Sequence, residues 1–268
     1  MQRVKASRAG RPKARRKESS SGCFAGSTAI PYRDLLAKVD FSLERGSRFS
    51  YVCNACKRCC YGKAIRVGPY EALRLARRLG LTTTEFFARH TEAGGTVLSS
   101  RDDRSCVFLD ERGCSVHPDR PLACRIYPLA RWVDPDGNES FGHLEPHPQT
   151  AGVYGDKGTV ADYLAAQGLA PYFAMGDRYG AVYERMVDLL ERLAPAESER
   201  RAERRAEVDE MDAGAVATSF FDVDATVADY CRARNLPVPT EVDALIDLHI
   251  SAIGVWLDEL EARLQQGQ

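Results

Sequence analysis

Residues 53–60 read Cys53-Asn-Ala-Cys56-Lys-Arg-Cys59-Cys60, so four cysteines lie within eight residues. A Cys-x-x-Cys step lets one turn present two sulfur atoms to the same metal, and a second step extends the set to three ligands. Adjacent side chains project in different directions, so Cys59 and Cys60 are not expected to bond one small ion equivalently. One of the two is expected to serve a second metal or to act as a reactive thiol.

Three further cysteines, Cys106, Cys114 and Cys124, complete a set of seven. The upstream spacing is that of the first three ligands in a bacterial ferredoxin run, but the fourth cysteine of such a run is missing. A fourth ligand must therefore come from the downstream group. The remaining two cysteines are Cys23, expected to be a free thiol, and Cys231, expected to be buried on an apolar helix face. The odd count and the spacing favour metal-bound thiolates over a disulfide framework.

The two cysteine groups together resemble the CxxCxxCC family of zinc- or iron-chelating domains, typified by the YkgJ protein and also found in the flagellin lysine methylase FliB. The downstream tract carries His117-Pro118, Arg120-Pro121 and Cys124-Arg125. The resemblance covers roughly residues 50–150 and all seven cysteines of the pattern. It implies an iron-sulfur oxidoreductase or a metal chelator, since both descriptions are used for members of the family.

The candidate metal or cofactor ligands are Cys53, Cys56, Cys59, Cys60, Cys106, Cys114, Cys124 and His147. A [4Fe-4S] cluster takes four thiolates, whereas a zinc site of the Cys3His type takes three thiolates plus His117 or His147. His147 is the predicted non-cysteine ligand. His117 is expected to support its loop, and His143 is expected at the surface. No catalytic residue is predicted.

The charge of the chain is unevenly distributed. The formal net charge is -1, with 37 Lys and Arg against 38 Asp and Glu, but residues 1–17 hold eight of the basic residues and no acidic one. The rest of the chain therefore carries a net charge of -9. Five cations nevertheless lie beside the cysteines in the sequence and would offset thiolate charge: Lys57, Arg58, Lys63, Arg120 and Arg125.

Composition and motifs exclude several classes of protein. With 44% apolar and 9% aromatic residues, the chain can bury a core and is not intrinsically disordered. No stretch approaches the ~20 apolar residues of a membrane span, and no apolar signal core follows the basic N-terminus, so we expect a cytoplasmic chain without a membrane partner. The sequence also lacks a GxGxxG dinucleotide pattern, a P-loop, an HExxH motif and the CxxxCxxC motif of radical-SAM enzymes.

The pattern of short segments predicts an α+β fold, a small cysteine-rich metal-binding core with hairpins and helices, followed by a helical C-terminal region. The predicted segments are a disordered basic tail (1–28), the metal or iron-sulfur domain (29–150), a helical extension packing on the core (151–194), a charged linker or helix (195–215) and a C-terminal helical pair (216–268).

Start and stop signals predict the individual elements. They are a helix from Pro69 to Gly80, a helix opened by the capping box Thr82 to Glu85, hairpins over 106–116 and 126–144, a helix from Thr159 to Gly168, a longer helix from Pro171, and a final pair over about 223–234 and 239–264. After residue 158 the sequence is predicted to be helical. His249 is expected to be packed on an apolar face of the last helix.

We therefore expect a metal-binding protein that holds a [4Fe-4S] cluster and acts in electron transfer or redox-dependent modification with a redox or protein partner. A structural or interaction module that binds zinc is the alternative. A lysine N-methylase like FliB is a further alternative. The basic tail is interpreted as a solvated extension rather than as a nucleic-acid arm, so no nucleic-acid partner is expected.

Overall fold

The computed structural model describes residues 39–134, 136–193 and 220–266, and these residues form the predicted α+β fold. The strands are β1 (Arg48–Val52), β2 (Leu109–Asp110), β3 (Gly113–Cys114), β4 (Leu129–Val133), β5 (Glu139–His143) and β6 (Val153–Thr159). The helices are α1 (Pro69–Leu79), α2 (Thr83–His90), α3 (Leu122–Ile126), α4 (Val160–Ala166), α5 (Ala170–Leu193), α6 (Val223–Arg234) and α7 (Val242–Gln266).

Both predicted hairpins are present. β4 and β5 pair antiparallel, with Leu129 opposite His143. The Asp134 carboxylate accepts the Asn138 amide at 2.8 Å, and Gly137 adopts a φ of 84°, which a residue without Cβ tolerates. The other hairpin is shorter than predicted, because β2 and β3 pair over two residues each.

The third sheet, β1 with β6, is not predicted by the sequence. Tyr51 pairs with Tyr154, and Val52 pairs with Val153. A Cβ on Gly152 would lie 2.3 Å from the Tyr51 hydroxyl, so glycine is required where this ring packs. The glycines and charges of β6 break the apolar alternation that signals a strand. The sheet joins segments on both sides of the boundary predicted at residue 150.

The two larger sheets share one hydrophobic core with the helices that follow them. Its buried side chains come from β1, β4, β5, α3, α4 and the start of α5, and they are Phe49, Ile126, Leu129, Phe141, Val160, Tyr163, Leu164, Leu169 and Phe173. This core sets the position of β1, and therefore of the cysteine loop that follows it.

The caps of α1 and α2 follow the predicted signals. α1 begins at Pro69, and Gly80 ends it with a left-handed φ of 69°. The Thr82 hydroxyl accepts the Glu85 amide at 3.2 Å, and the Glu85 carboxylate accepts the Thr82 amide at 3.0 Å. This reciprocal pair is the predicted capping box.

The C-terminal helices pack on α1 rather than standing apart. The buried residues of this second core include Leu73 of α1, Leu189 of α5, Val227 of α6 and Ile246 of α7. Cys231 is 1% exposed and His249 is 0% exposed, so the sequence prediction for both residues is confirmed.

Asp222 joins the C-terminal helices to α2. Its buried carboxylate accepts the hydroxyls of Thr83 at 2.5 Å and Thr84 at 2.6 Å, and it caps α6 by accepting the Ala225 amide at 3.1 Å. The Asp224 carboxylate accepts the Thr83 amide at 2.7 Å. The N-terminus of α6 is thus hydrogen-bonded directly to the first turn of α2.

One predicted strand boundary is wrong. Ile126 was expected to open a strand, but it is the last residue of α3, and β4 begins at Leu129. The Pro121 carbonyl accepts the amides of Cys124 and Arg125, both at 2.9 Å, so the segment turns into a helix directly after the proline. The predicted tail (1–28), which includes Cys23, and the predicted linker (195–215) lie outside the described residues.

Within the three described ranges, no helix is both long enough and apolar enough to cross a membrane.

Replacing Asp222 by Ala should lower the free energy of unfolding by about 2 kcal/mol, because it removes a helix cap and leaves the Thr84 hydroxyl without its charged acceptor, while the Thr83 hydroxyl keeps the longer contact to Asp224 at 3.3 Å. Urea denaturation measures the change. The matched control is Asp229→Ala on the same helix, since Asp229 is 72% exposed in its side chain and pairs with the exposed Arg232. We expect the control to change stability by less than about 0.5 kcal/mol. Equal losses in the two variants would contradict the role of Asp222.

Acidification should destabilise the protein through His249. Burial lowers the pKa of His249 from 6.5 to about 4. Between these pH values the unfolded chain binds a proton at His249, whereas the folded chain does not. This contribution to stability is complete above pH 6.5 and is lost as the pH falls towards 4. Between pH 6.5 and 5 the wild type should lose about 2 kcal/mol more than His249→Gln, as measured by urea denaturation at both pH values. Identical losses would show that His249 does not make this contribution.

Candidate metal centre

The fold brings the cysteines together from four segments of the chain. The first segment follows β1 and carries Cys53 and Cys56 in a loop and then Cys59 and Cys60 in a 3-10 turn over Arg58–Cys60. The other three segments carry one cysteine each: Cys106 before β2, Cys114 at the end of β3, and Cys124 in α3. All seven are free thiols. The Cys106 amide donates to the Cys60 carbonyl at 2.8 Å, which holds the downstream group against the upstream one.

Five of these thiols interact electrostatically with one another. We call them the inner thiols: Cys59, Cys60, Cys106, Cys114 and Cys124. The Sγ atoms of Cys59 and Cys60 are 3.9 Å apart. A hydrogen bond from the Cys60 thiol lowers the pKa of Cys59, and the same contact raises the pKa of Cys60. The two adjacent thiols thus contact each other, and their unequal bonding to a metal stays a prediction.

Burial and crowding oppose ionisation of the inner thiols. Burial, followed by the neighbouring thiols, raises the pKa of Cys124 to about 12. Burial also raises the pKa values of Cys106 and Cys114. A group of thiols that repel one another as thiolates needs a positive charge at its centre in order to ionise together.

Three thiols accept hydrogen bonds from the amide two residues further along the chain. The donors are Arg58 to Cys56, Phe108 to Cys106 and Val116 to Cys114. Such bonds stabilise the thiolate over the thiol, and hydrogen bonds to sulfur also tune the potential of a bound cluster. The local turns are therefore arranged for thiolates, although the burial of Cys106 and Cys114 opposes ionisation.

Two of the five predicted cations are close to the inner thiols. The Lys63 ammonium interacts with Cys59, Cys124 and Cys60 and lies 4.0 Å from the centroid of the Tyr127 ring. Lys63 is exposed as a whole residue, but desolvation of its ammonium lowers its pKa. Arg120 interacts with Cys124 and Cys114. Both cations are placed to offset thiolate charge.

The other predicted cations have different contacts. Lys57 donates to the backbone carbonyls of Asp110, at 3.4 Å, and Glu111. Arg125 donates to the carbonyls of Gln167, at 2.9 Å, and Pro118. These two side chains tie loops together, and Arg58 is exposed.

Cys53 and Cys56 form the outer part of the site. Cys53 is exposed and adjoins an exposed apolar pair, Val52 and Val153. Hydrogen bonds from the amides of Ala151 and Arg58, and from the Thr150 hydroxyl, lower the pKa of Cys56. A second segment of chain, after residue 147, therefore reaches the cysteine loop.

The three histidines near the cysteines in the sequence, His117, His143 and His147, lie in different parts of the structure. His117 starts a 3-10 turn, where its carbonyl accepts Arg120 Nη1 at 2.9 Å, a structural role in the loop. His143 ends β5, is exposed, and contacts the ring of Phe49. His147 Nδ1 accepts the Gln149 amide at 3.0 Å, which leaves Nε2 as the nitrogen available to a metal. Ligation by His147 stays a prediction.

The thiols suit a soft metal or an iron-sulfur group, because thiolates are the ligands that zinc and iron-sulfur clusters share. In the part of the chain that the structure describes, however, no three His, Cys, Asp or Glu side chains are arranged around a single ion. The donor set itself is one that zinc or an iron-sulfur cluster uses.

Three residues near the site were missed by sequence reasoning. The Glu71 carboxylate accepts the amides of Gly68 at 2.7 Å and Leu122 at 2.6 Å, so it caps both α1 and the short helix that carries Cys124. Arg101 interacts with Cys106, and Thr150 interacts with Cys56. Glu71 could have been found at the third position of its helix, where a glutamate is a capping signal. No sequence signal marks the other two.

Replacing Cys59, Cys106 or Cys124 by Ser should each remove most of the bound metal, since these thiols come from different segments and interact with one another. Elemental analysis of the purified variants measures the loss. Cys231→Ala is the control, because this thiol is buried in the second core. Full metal content in all three serine variants would contradict the assignment of the inner thiols.

The comparison with known protein families points to the same cysteines. Residues 52–147 match the family model described as "Putative zinc- or iron-chelating domain", CxxCxxCC. No curated protein and no solved structure matches the chain. The resemblance to FliB stays a prediction. The matched region contains all seven clustered cysteines, so over residues 52–147 the chain is similar to the zinc- or iron-chelating domains of the CxxCxxCC family.

Proposed function

We propose that this domain holds a [4Fe-4S] cluster and acts in electron transfer or in redox-dependent modification. The observation that supports the proposal is that five thiols interact electrostatically with one another and with the cations Lys63 and Arg120.

Charge also supports the cluster. Four thiolates outweigh the positive charge of an oxidised [4Fe-4S] core, so the loaded site is negative and gains a further negative charge on reduction. Lys63 and Arg120 lie close enough to the inner thiols to stabilise that charge. Cations and hydrogen bonds near the sulfurs raise the reduction potential of such a group, which brings it towards the range of cellular electron donors.

In this proposal the chain binds the cluster and adjusts its reduction potential. Amide groups donate to the sulfurs of Cys56, Cys106 and Cys114, and the Cys60 thiol donates to Cys59. When bound, the cluster supplies one-electron chemistry, whereas zinc has none. The exposed thiol of Cys53, beside Val52 and Val153, marks the side of the site that faces solvent.

Protein purified without oxygen should be brown and contain iron and acid-labile sulfide in equal amounts. Reduction with dithionite should bleach the colour and produce an electron paramagnetic resonance signal of a reduced cluster. Cys23→Ser is the matched control, because this cysteine lies far outside the matched region, and it should keep the full iron content. Colourless protein with stoichiometric zinc and no iron would overturn the proposal in favour of a structural zinc module.

A further inference from the structure

A carboxylate on α1 contacts the start of the short helix that carries Cys124. Glu71 Oε2 accepts the Gly68 amide at 2.7 Å, and its other oxygen, Oε1, accepts the Leu122 amide at 2.6 Å. The carboxylate has one oxygen for each amide, so the two hydrogen bonds do not compete. Glu71 therefore fixes the start of α1 and the start of α3 relative to each other.

The helix α3 takes its cap from this carboxylate. Pro121 is the residue before the helix, and its ring has no atom that accepts a hydrogen bond. The first amides of a helix have no partner within the helix, so an acceptor from elsewhere stabilises them. Glu71 is that acceptor for Leu122, the first residue of α3. Cys124 follows in the same turn, where its amide donates to the Pro121 carbonyl at 2.9 Å.

Ion pairs hold the residues just before this helix. Arg74 lies one turn after Glu71 on α1, and its Nη2 is 2.6 Å from Asp119 Oδ1. Arg78, one turn further along, is 3.4 Å from the other oxygen of Asp119. The Asp119 side chain is only 16% exposed, so solvent screens these pairs less than pairs at the surface. The helix α1 thus holds residues 119–122 through both a carboxylate and two cations.

The other side of Cys124 is held by the region around α5. Arg125 donates to the Gln167 carbonyl at 2.9 Å, and its guanidinium lies 4.5 Å from the centroid of the Tyr172 ring. Tyr172 packs edge-on against Tyr70 of α1, with the ring centroids 5.4 Å apart. Cys124 therefore lies in a five-residue helix that is anchored on both sides of it, so a shift of either anchor would move its sulfur.

We propose that Glu71 and Asp119 are positioning residues of the metal site, because they set where α3 begins and therefore where the Cys124 thiol lies. This inference rests on the proposed metal site, with Cys124 among its ligands. Neither carboxylate contacts the metal in this proposal, since each acts through the segment that it holds. Groups that orient a ligand without touching the metal commonly govern metal affinity.

Cobalt(II) titration of the metal-free full-length chain under reducing conditions tests this role. Glu71→Gln keeps the size of the side chain, but its single oxygen cannot replace both carboxylate oxygens, and its NH2 group faces an amide donor. We expect the affinity for cobalt to fall by about tenfold. The thiolate-to-cobalt absorption per bound ion should also decrease, because one sulfur ligand is displaced.

Glu85→Gln is the matched control. Glu85 holds the same third position in α2, where it accepts the Thr82 amide at 3.0 Å, and α2 contains no cysteine. The variant therefore removes a capping bond of the same kind from a helix outside the metal site. It should bind cobalt with the affinity and the spectrum of the wild type.

Asp119→Asn tests the second contact and decides the question if Glu71→Gln does not fold. It removes the charge that pairs with Arg74, so cobalt binding should weaken and the absorption should decrease as in Glu71→Gln. Its control is Asp247→Asn, which removes the pair of Asp247 with Arg178 at 2.7 Å on the C-terminal helices. The control should leave cobalt binding unchanged.

Labelling with iodoacetamide and peptide mass mapping separates this role from general support of the fold. In the cobalt-loaded wild type, Cys106 and Cys124 should both resist labelling. In cobalt-loaded Glu71→Gln and Asp119→Asn, Cys124 should be labelled while Cys106 stays protected, because only α3 has lost its anchor.

Two results would overturn the inference. One is an unchanged cobalt affinity and spectrum in the folded variants, and the other is an equal loss of protection at Cys106 and Cys124. The metal content of the isolated protein decides the cluster separately. If that protein contains zinc, the proposed iron-sulfur function fails, while the cobalt titration still tests Glu71 and Asp119.

Discussion

Thiols that are crowded and half-buried cannot all ionise unless a positive charge lies among them, and the rest of the site depends on this constraint. Burial and mutual repulsion raise the pKa values of Cys106, Cys114 and Cys124. Lys63 and Arg120 supply part of the required charge from the edge of the group. A bound metal or cluster would supply the rest, so we expect metal binding and thiol ionisation to occur together. Folding of the cysteine loops would then be coupled to metal binding.

The surrounding fold holds the thiol-bearing segments at fixed distances. Glu71 caps α1 and α3 at once and so ties Cys124 to the longer helix. The Cys106 amide donates to the Cys60 carbonyl, and β1, which pairs with β6, leads into the loop of Cys53 and Cys56. Further away, Asp222 fastens α6 to α2. Each of these contacts joins residues that are far apart in sequence, so the site depends on the whole described body.

Sequence reasoning succeeded where the signal is local. The turn at Asp134 and Gly137 and the capping box of Thr82 and Glu85 are each contained in a few residues, and the predicted elements are present. It failed for β1 and β6, because their pairing spans about a hundred residues and the glycines of β6 hide the strand pattern. The Cys-x-x-Cys spacing grouped Cys53, Cys56 and Cys59, but only Cys59 of these three is one of the inner thiols, and Cys53 is exposed. The contacts of Glu71 and Thr150 with the site did not, since they arise only from tertiary packing.

The direct test of a thiolate-bound cluster is X-ray absorption at the metal edge of protein isolated without oxygen. Sulfur atoms next to the absorbing metal identify its ligands, and iron atoms next to it identify a cluster. For a [4Fe-4S] cluster we expect an iron edge with sulfur neighbours and a second shell of iron. A zinc edge with one shell of sulfur or nitrogen ligands and no metal neighbour would contradict the proposed cluster.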